Sequence, residues 1–144
     1  MLSPLGELTL SERDGRIVSL DWGRGRDHAA TATLTRAVAR LQAYFDGAEV
    51  AFDDLPLEPS GTPFQRRVWQ AMRAIPRGQT RRYGDIARAL GSSPRAVGAA
   101  CGRNPLPILI PCHRVVGAAG ALGGYSGPEG AETKRFLLAL EAAR

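Results

Sequence analysis

The residues with the greatest chemical capacity lie in one stretch, Asn104-Pro105-Leu106-Pro107-Ile108-Leu109-Ile110-Pro111-Cys112-His113-Arg114-Val115. It reads as an apolar strand, bracketed by prolines, that delivers a Cys-His pair at its end. A free thiol has a pKa of ~8.5 and is only a few per cent ionised near neutrality, so a cysteine that reacts needs a neighbouring base. In isolation the pair reads more readily as packing, because free Cys is among the most buried residue types. Glu141, near the end of the chain, faces either solvent or a buried partner. Cys101 and Cys112 are the only cysteines. They are too few for a disulfide framework, and a reducing compartment keeps both as thiols. With His28 and His113 they exhaust the Cys and His supply and show no paired-ligand spacing, so no metal site is expected.

The elements that must position these residues can be read from periodicity. Leu8 and Leu10 alternate with polar residues, Asp14-Gly15 supplies a two-residue turn, and Val18, Leu20 and Trp22 share one face of the returning strand, which predicts a hairpin. Leu34, Val38, Leu41 and Phe45 recur at helical spacing, with Thr31 or Thr33 as cap and Gly47 as stop. The run from Asp53 to Gly61, with two prolines and a Ser-Gly pair, suits a linker. Thr62-Pro63-Phe64-Gln65 has the form of a helix start, and Phe64, Val68, Met72 and Ile75 then stripe one face. Near the end, Phe136, Leu137 and Leu140 are expected to turn inward from a helix over about 131–143.

Between these lie two short helices, one around Asp85 to Leu90 and one from Pro94 to about Gly102, separated by Gly91-Ser92-Ser93. This is a helix-turn-helix pattern. The second helix opens with Arg95 and continues with Ala96, Gly98, Ala99 and Ala100, small side chains that let its backbone approach DNA closely. The net charge of +5 suits an acidic partner. All but one of the nineteen basic residues are Arg, however, and the chain is rich in Ala and Gly, so composition alone also fits the output of a GC-rich genome. The 144 residues, 44% of them hydrophobic, can fill a core. No apolar segment approaches the ~20 residues needed to cross a bilayer, and the expected location is cytoplasmic.

The motif string resembles the active-site motif of the O6-alkylguanine-DNA alkyltransferases, whose hallmark is Pro-Cys-His-Arg-Val. Flanking segments fall in the same order: Thr62-Pro63-Phe64-Gln65 with Val68-Trp69, Ile75-Pro76 with Gly78-Gln79, Tyr83, Arg95-Ala96-Val97-Gly98 and Gly124-Tyr125-Ser126-Gly127. The resemblance covers about Thr62 to Glu141, with residues 1 to about 55 matching only loosely. It implies that Cys112 accepts the alkyl group, that His113 is its base through a water, and that Glu141 orients the imidazole. Tyr83 is implied as proton donor to guanine N3 and Asn104 as the brace of the turn before the active-site strand. Arg95 would fill the vacated stack, with Ala96, Gly98 and Ala99 on the DNA-facing helix. Val115, Pro107 and the Tyr125-Ser126-Gly127 loop would line the base pocket. The family lays its second helix in the minor groove, where sequence information is sparse, so specificity for sequence should be low.

The expected architecture is therefore α/β: a small N-terminal hairpin-and-helix domain over residues 1–58, then a mostly helical domain over 59–144 that carries the helix-turn-helix. The expected activity is stoichiometric, single-turnover transfer of an alkyl group from O6-alkylguanine in double-stranded DNA by a monomer, with nucleotide flipping and no dissociable cofactor. The nearest rival is a non-catalytic lesion-recognition protein of the alkyltransferase-like type. Such proteins replace the reactive cysteine, and Cys112 argues against that reading. A transcriptional regulator would carry a further domain, and a Cys-His-Glu thiol hydrolase would turn over.

Overall fold

Two parts of different composition meet across one core in the computed structural model, which describes residues 1–23, 31–117 and 130–142. The first is a three-stranded antiparallel meander, β1 (Leu2–Ser3), β2 (Gly6–Arg13) and β3 (Arg16–Trp22), with helix α1 (Ala32–Phe45) packed on it. The β2–β3 turn is Asp14-Gly15, both at positive φ, which matches the right-handed twist of the strands it joins. The register pairs Leu8 with Trp22 and Leu10 with Leu20. A bulge after Ser11 then leaves Val18 as the extra residue and pairs Glu12 with Ile17. That slip reverses the faces, so Ile17 is fully buried and Val18 only half-buried, contrary to the simple alternation expected for the strand.

Thr31 caps α1 by accepting from Leu34 N at 3.1 Å, and its hydroxyl donates to Glu12 Oε1 at 3.0 Å, tying the helix to β2. The buried face of α1 is Ala37, Leu41 and Tyr44, rotated slightly from the stripe that periodicity selects. Residues 53–61 form no regular element, yet they are not loose. Leu55 is buried, Leu57 bridges to Ile17, and Ile17 exchanges backbone hydrogen bonds with Pro56 O at 2.7 Å and Glu58 N at 2.8 Å.

The second part contains α2 (Pro63–Arg73), β4 (Arg81–Arg82), α3 (Tyr83–Leu90), α4 (Pro94–Gly102), a single 3-10 turn over Cys112–Arg114, β5 (Val115–Val116) and α5 (Ala131–Ala142). The start of α2 is a reciprocal capping box between Thr62 and Gln65, with Pro63 at the first helical position. Val68, Trp69 and Met72 are its buried face, and Trp69 Nε1 donates to Ala100 O at 2.8 Å, locking α2 against α4. Gly91, in the left-handed region, ends α3, and Ser93 caps α4 by accepting from Ala96 N at 3.1 Å. These two caps set the helix-turn-helix. In α5, Leu137 points inward as expected, but Phe136 is 38% exposed, and the buried face is completed by Thr133, Lys134 and Glu141.

Candidate active site

The stretch before Cys112 is a buried loop and not the strand its apolar composition predicts. Ile110 N donates to Leu106 O at 2.8 Å, Ile108 sits at φ 74°, and Pro107 bridges to Ile110, which folds the segment back on itself. Pro105, Pro107 and Pro111 lack the N–H groups a ladder needs, and every residue from Leu106 to Pro111 is buried, so no open face remains for alternation. Asn104 holds the loop from inside. Its Oδ1 accepts from Leu106 N at 2.9 Å, while Nδ2 donates to Ile110 O at 2.9 Å and approaches Cys112 Sγ at 3.3 Å. The brace expected of Asn104 therefore also places an N–H on the sulfur, where it favours the thiolate over the thiol.

Cys112, 3% exposed, opens the 3-10 turn that carries His113 and Arg114. His113 Nε2 lies 2.6 Å from Glu141 Oε2. Arg114 makes a bidentate pair with the same carboxylate, Nε to Oε1 at 2.9 Å and Nη2 to Oε2 at 3.0 Å, and its Nη1 donates to Ile75 O at 2.7 Å. Tyr44 of α1 donates to Oε2 at 2.6 Å. Burial alone would raise the Glu141 pKa, but hydrogen bonds from His113 and Arg114 outweigh it and hold the carboxyl well below its usual range. Burial dominates at His113 and lowers its pKa against the pull of Glu141, so the ring is neutral. An ionised carboxylate only accepts, which assigns the ring proton to Nε2 and leaves Nδ1 as the basic nitrogen. Nδ1 is buried with no hydrogen-bond partner among the described residues.

Tyr83 begins α3, directly after β4, whose pairing with β5 sets Arg81 beside Val115 and Arg82 beside Val116. This short parallel ladder brings the phenol to the side of the loop that carries Cys112. Burial, with the nearby Cys101 and Cys112 thiols, pushes Tyr83 up to about 12. Lys134 of α5 is fully buried, donates to Tyr83 Oη at 3.3 Å and lies with its ammonium 5.5 Å from the ring centroid. Burial lowers its pKa, and no carboxylate pairs with it among the described residues. An ammonium donating to the phenol oxygen leaves the phenol proton free to point elsewhere and makes it a better donor. Cys101 donates to Met72 Sδ at 3.4 Å, and burial pushes its thiol up to about 12.

On the outer surface of the helix pair, Arg95 and Ala99 are exposed, and Ala96 and Gly98 are half-buried. A cleft of about 500 Å³ beside them is lined by Arg82, Tyr83, Arg88, Ser92 and Pro94, among others. Val115 and Pro107 are buried next to the acceptor loop. Tyr125, Ser126 and Gly127, as well as His28, lie outside the described residues. Among the described residues no group of Cys, His, Asp and Glu is arranged to hold a metal ion, and no helix is long and apolar enough to cross a membrane. Arg114, Tyr44 and Lys134 are participants that periodicity and motif reading passed over. Lys134 carries a signal in being the sole lysine, and Tyr44 in being a phenol on an inward helix face, where its hydroxyl must find a partner.

A cysteine held by an asparagine N–H and followed by a histidine oriented by a buried carboxylate, in a chain with a helix-turn-helix, is the arrangement of a thiol-reactive site in a protein of the helix-turn-helix class. Residues 63–143 match the family model described as 6-O-methylguanine DNA methyltransferase, DNA binding domain, and residues 1–59 match that of the same family's ribonuclease-like domain. The chain belongs to the 6-O-methylguanine DNA methyltransferase family. It is 47% identical to the constitutive methylated-DNA–protein-cysteine methyltransferase of Bacillus subtilis, over 96% of this chain and 91% of that one. It is 50% identical to the methylated-DNA–protein-cysteine methyltransferase of Methanosarcina acetivorans, over 98% and 95%. Among solved structures, Mycobacterium tuberculosis OGT in complex with DNA superposes with a TM-score of 0.84 at 42% identity, covering 99% of this chain and 90% of that one.

Proposed function

We propose that this chain repairs DNA by direct reversal, transferring the alkyl group of an O6-alkylguanine to Cys112 in a single turnover. The observation that carries the reading is the relay around Glu141, which fixes His113 with Nε2 protonated and Nδ1 basic in the residue next to Cys112. In this mechanism His113 takes the thiol proton through a water, since adjacent residues do not face each other, and the Asn104 N–H steadies the thiolate. The thiolate attacks the alkyl carbon, the S–C bond forms, the C–O6 bond breaks, and its electron pair passes into the guanine ring. Tyr83, with Lys134 on its oxygen, delivers a proton to N3 so that guanine leaves neutral. The product thioether carries no leaving group comparable to guanine, so the acceptor is spent.

Cys112 is buried, so the damaged nucleotide must rotate out of the duplex at a cost of a few kcal/mol. Arg95 fills the space it leaves, and the small-residue face of α4 enters the minor groove with little sequence preference. Val115 and Pro107 bound the base pocket. The protein acts as a monomer without a dissociable cofactor, in a reducing cytoplasm that keeps both cysteines reduced.

The test is intact mass after incubation with duplex DNA containing O6-methylguanine, with peptide mapping of the adduct. One methyl per chain, mapped to Cys112 and absent in Cys112→Ser, is expected. Cys101, whose thiol stays protonated, should carry none. Tight binding to the lesion without mass gain would move the chain to the recognition-only class.

A further inference from the structure

The group that completes the Glu141 relay comes from the other half of the molecule. Tyr44 lies on α1, in the part matched by the ribonuclease-like domain, ninety-seven residues from its partner in sequence. It is 1% exposed, and its ring is fixed by Phe45 edge-on at 5.4 Å, by Phe52 at 5.6 Å and by the Arg77 guanidinium at 5.4 Å. Only the hydroxyl has a polar task. It donates to Glu141 Oε2, the oxygen that also faces His113 Nε2 and Arg114 Nη2. The other oxygen receives Arg114 Nε. Tyr44 and His113 therefore compete for one carboxylate oxygen, and the phenol sets how much of that oxygen's basicity remains for the imidazole.

We propose that Tyr44 is a positioning residue for alkyl transfer: through Glu141 Oε2 it fixes the orientation of His113 and keeps the imidazole from holding a proton too tightly. The inference rests on the reading that Cys112 is the acceptor and His113 its base. Losing the Tyr44 donor makes the carboxylate a stronger acceptor, so the imidazolium is better stabilised and His113 stays protonated to higher pH, where it cannot take the thiol proton. The charged and titratable groups facing the cluster are Arg114 and His113 on the 3-10 turn, Arg77 after α2, Lys134 on α5, and Glu49 after α1, across the cleft shared by Arg77 and Glu141. Tyr44→Phe leaves all of them in place.

The experiment is single-turnover transfer from O6-methylguanine duplex DNA as a function of pH, for the full-length wild type, Tyr44→Phe and Phe52→Leu. Tyr44→Phe is expected to move the acid limb of the rate profile upward by about half a pH unit or more and to slow the plateau by about three- to tenfold, the scale of one ordinary hydrogen bond on an oxygen that keeps its other donors. Phe52→Leu loosens packing around the same ring without touching the hydroxyl, so it should lower the melting temperature and leave the limb where it is. A Tyr44→Phe profile that superposes on wild type overturns the proposal, as does an equal displacement in both variants, which would make the effect one of packing. If the wild type itself transfers no methyl, it is the functional reading that fails.

Discussion

At the scale of single residues, the costly feature of this site is Lys134. It is the sole lysine of a chain otherwise supplied with arginine, it is fully buried, and its described polar partner is the neutral Tyr83 hydroxyl. A compact ammonium on a flexible stem can reach the phenol oxygen as a point donor, which the planar fork of arginine does poorly. Burying a cation whose partner among the described residues is a neutral hydroxyl works against folding. Lys134→Met, close in length, is expected to stabilise the fold by about 1 kcal/mol or more. It should also slow single-turnover transfer at least tenfold, because Tyr83 loses the donor that polarises it. Thermal denaturation and transfer kinetics on the same preparation check both signs. A variant that is less stable yet transfers at the wild-type rate would return Lys134 to a packing role. Cys112 and His113 stand out as a pair in a short string with chemical sense, whereas Asn104, Glu141 and Tyr83 are assigned roles only through the family resemblance. Motif reading passes over Lys134 and Tyr44 because their role is a contact across 51 and 97 residues of sequence, which no periodicity encodes.

At the scale of elements, the sequence was most informative where a local rule dominates. The Thr62–Gln65 capping box, the Asp14-Gly15 turn and the Gly91-Ser92-Ser93-Pro94 break each pin a boundary by chemistry within four residues, and α2, the hairpin and α4 start or turn where those residues say. It was least informative where packing from two sides decides. The bulge that turns Ile17 inward, the fold-back of residues 104–111 and the outward turn of Phe136 all depend on what lies opposite. Helix α4 shows how an element can be shaped by two duties. Its inner face, Val97, Ala100 and Cys101, is buried, and its outer face, from Arg95 to Ala99, has no side chain larger than alanine after the arginine. Ala99→Glu keeps a good helix former at an exposed position, so stability should change little. A carboxylate set against phosphates is expected to weaken duplex binding at least tenfold. The reaction of Cys112 with a small soluble alkylating agent, which needs no groove, should be unchanged. Fluorescence anisotropy with a labelled duplex and mass analysis after the small reagent separate these effects. Unaltered duplex affinity would show that another surface meets DNA.

At the scale of the whole molecule, the meander-and-helix part and the helical part are joined by more than a chain crossing. They share one cluster of buried side chains, Leu20 N donates to Pro105 O at 2.8 Å, and the Tyr44–Glu141 bond passes between them. The join is therefore electrostatically tied to the acceptor site, which makes global stability a reporter of the relay. In the folded chain His113 binds a proton less readily than its ordinary value of 6.5 implies, and Glu141 less readily than its ordinary 4.5. In both windows the unfolded chain holds more protons than the folded one, so stability is fully present above about pH 6.5 and falls as pH is lowered. The first fall belongs to His113 and approaches about 1.4 kcal/mol per pH unit for one proton. The second, below about pH 4.5, belongs to Glu141 together with the exposed, ion-paired Asp54 and Asp85. Urea unfolding of wild type and His113→Gln across this range separates them. The glutamine variant keeps a donor for Glu141 but cannot titrate, so it should be less stable at neutral pH and lack the upper fall while retaining the lower one. A wild-type stability that instead rises as pH is lowered from 8 towards 6.5 would mean that the folded protein carries His113 as an imidazolium paired to Glu141. Nδ1 would then already hold a proton, and the thiol of Cys112 would need a different base.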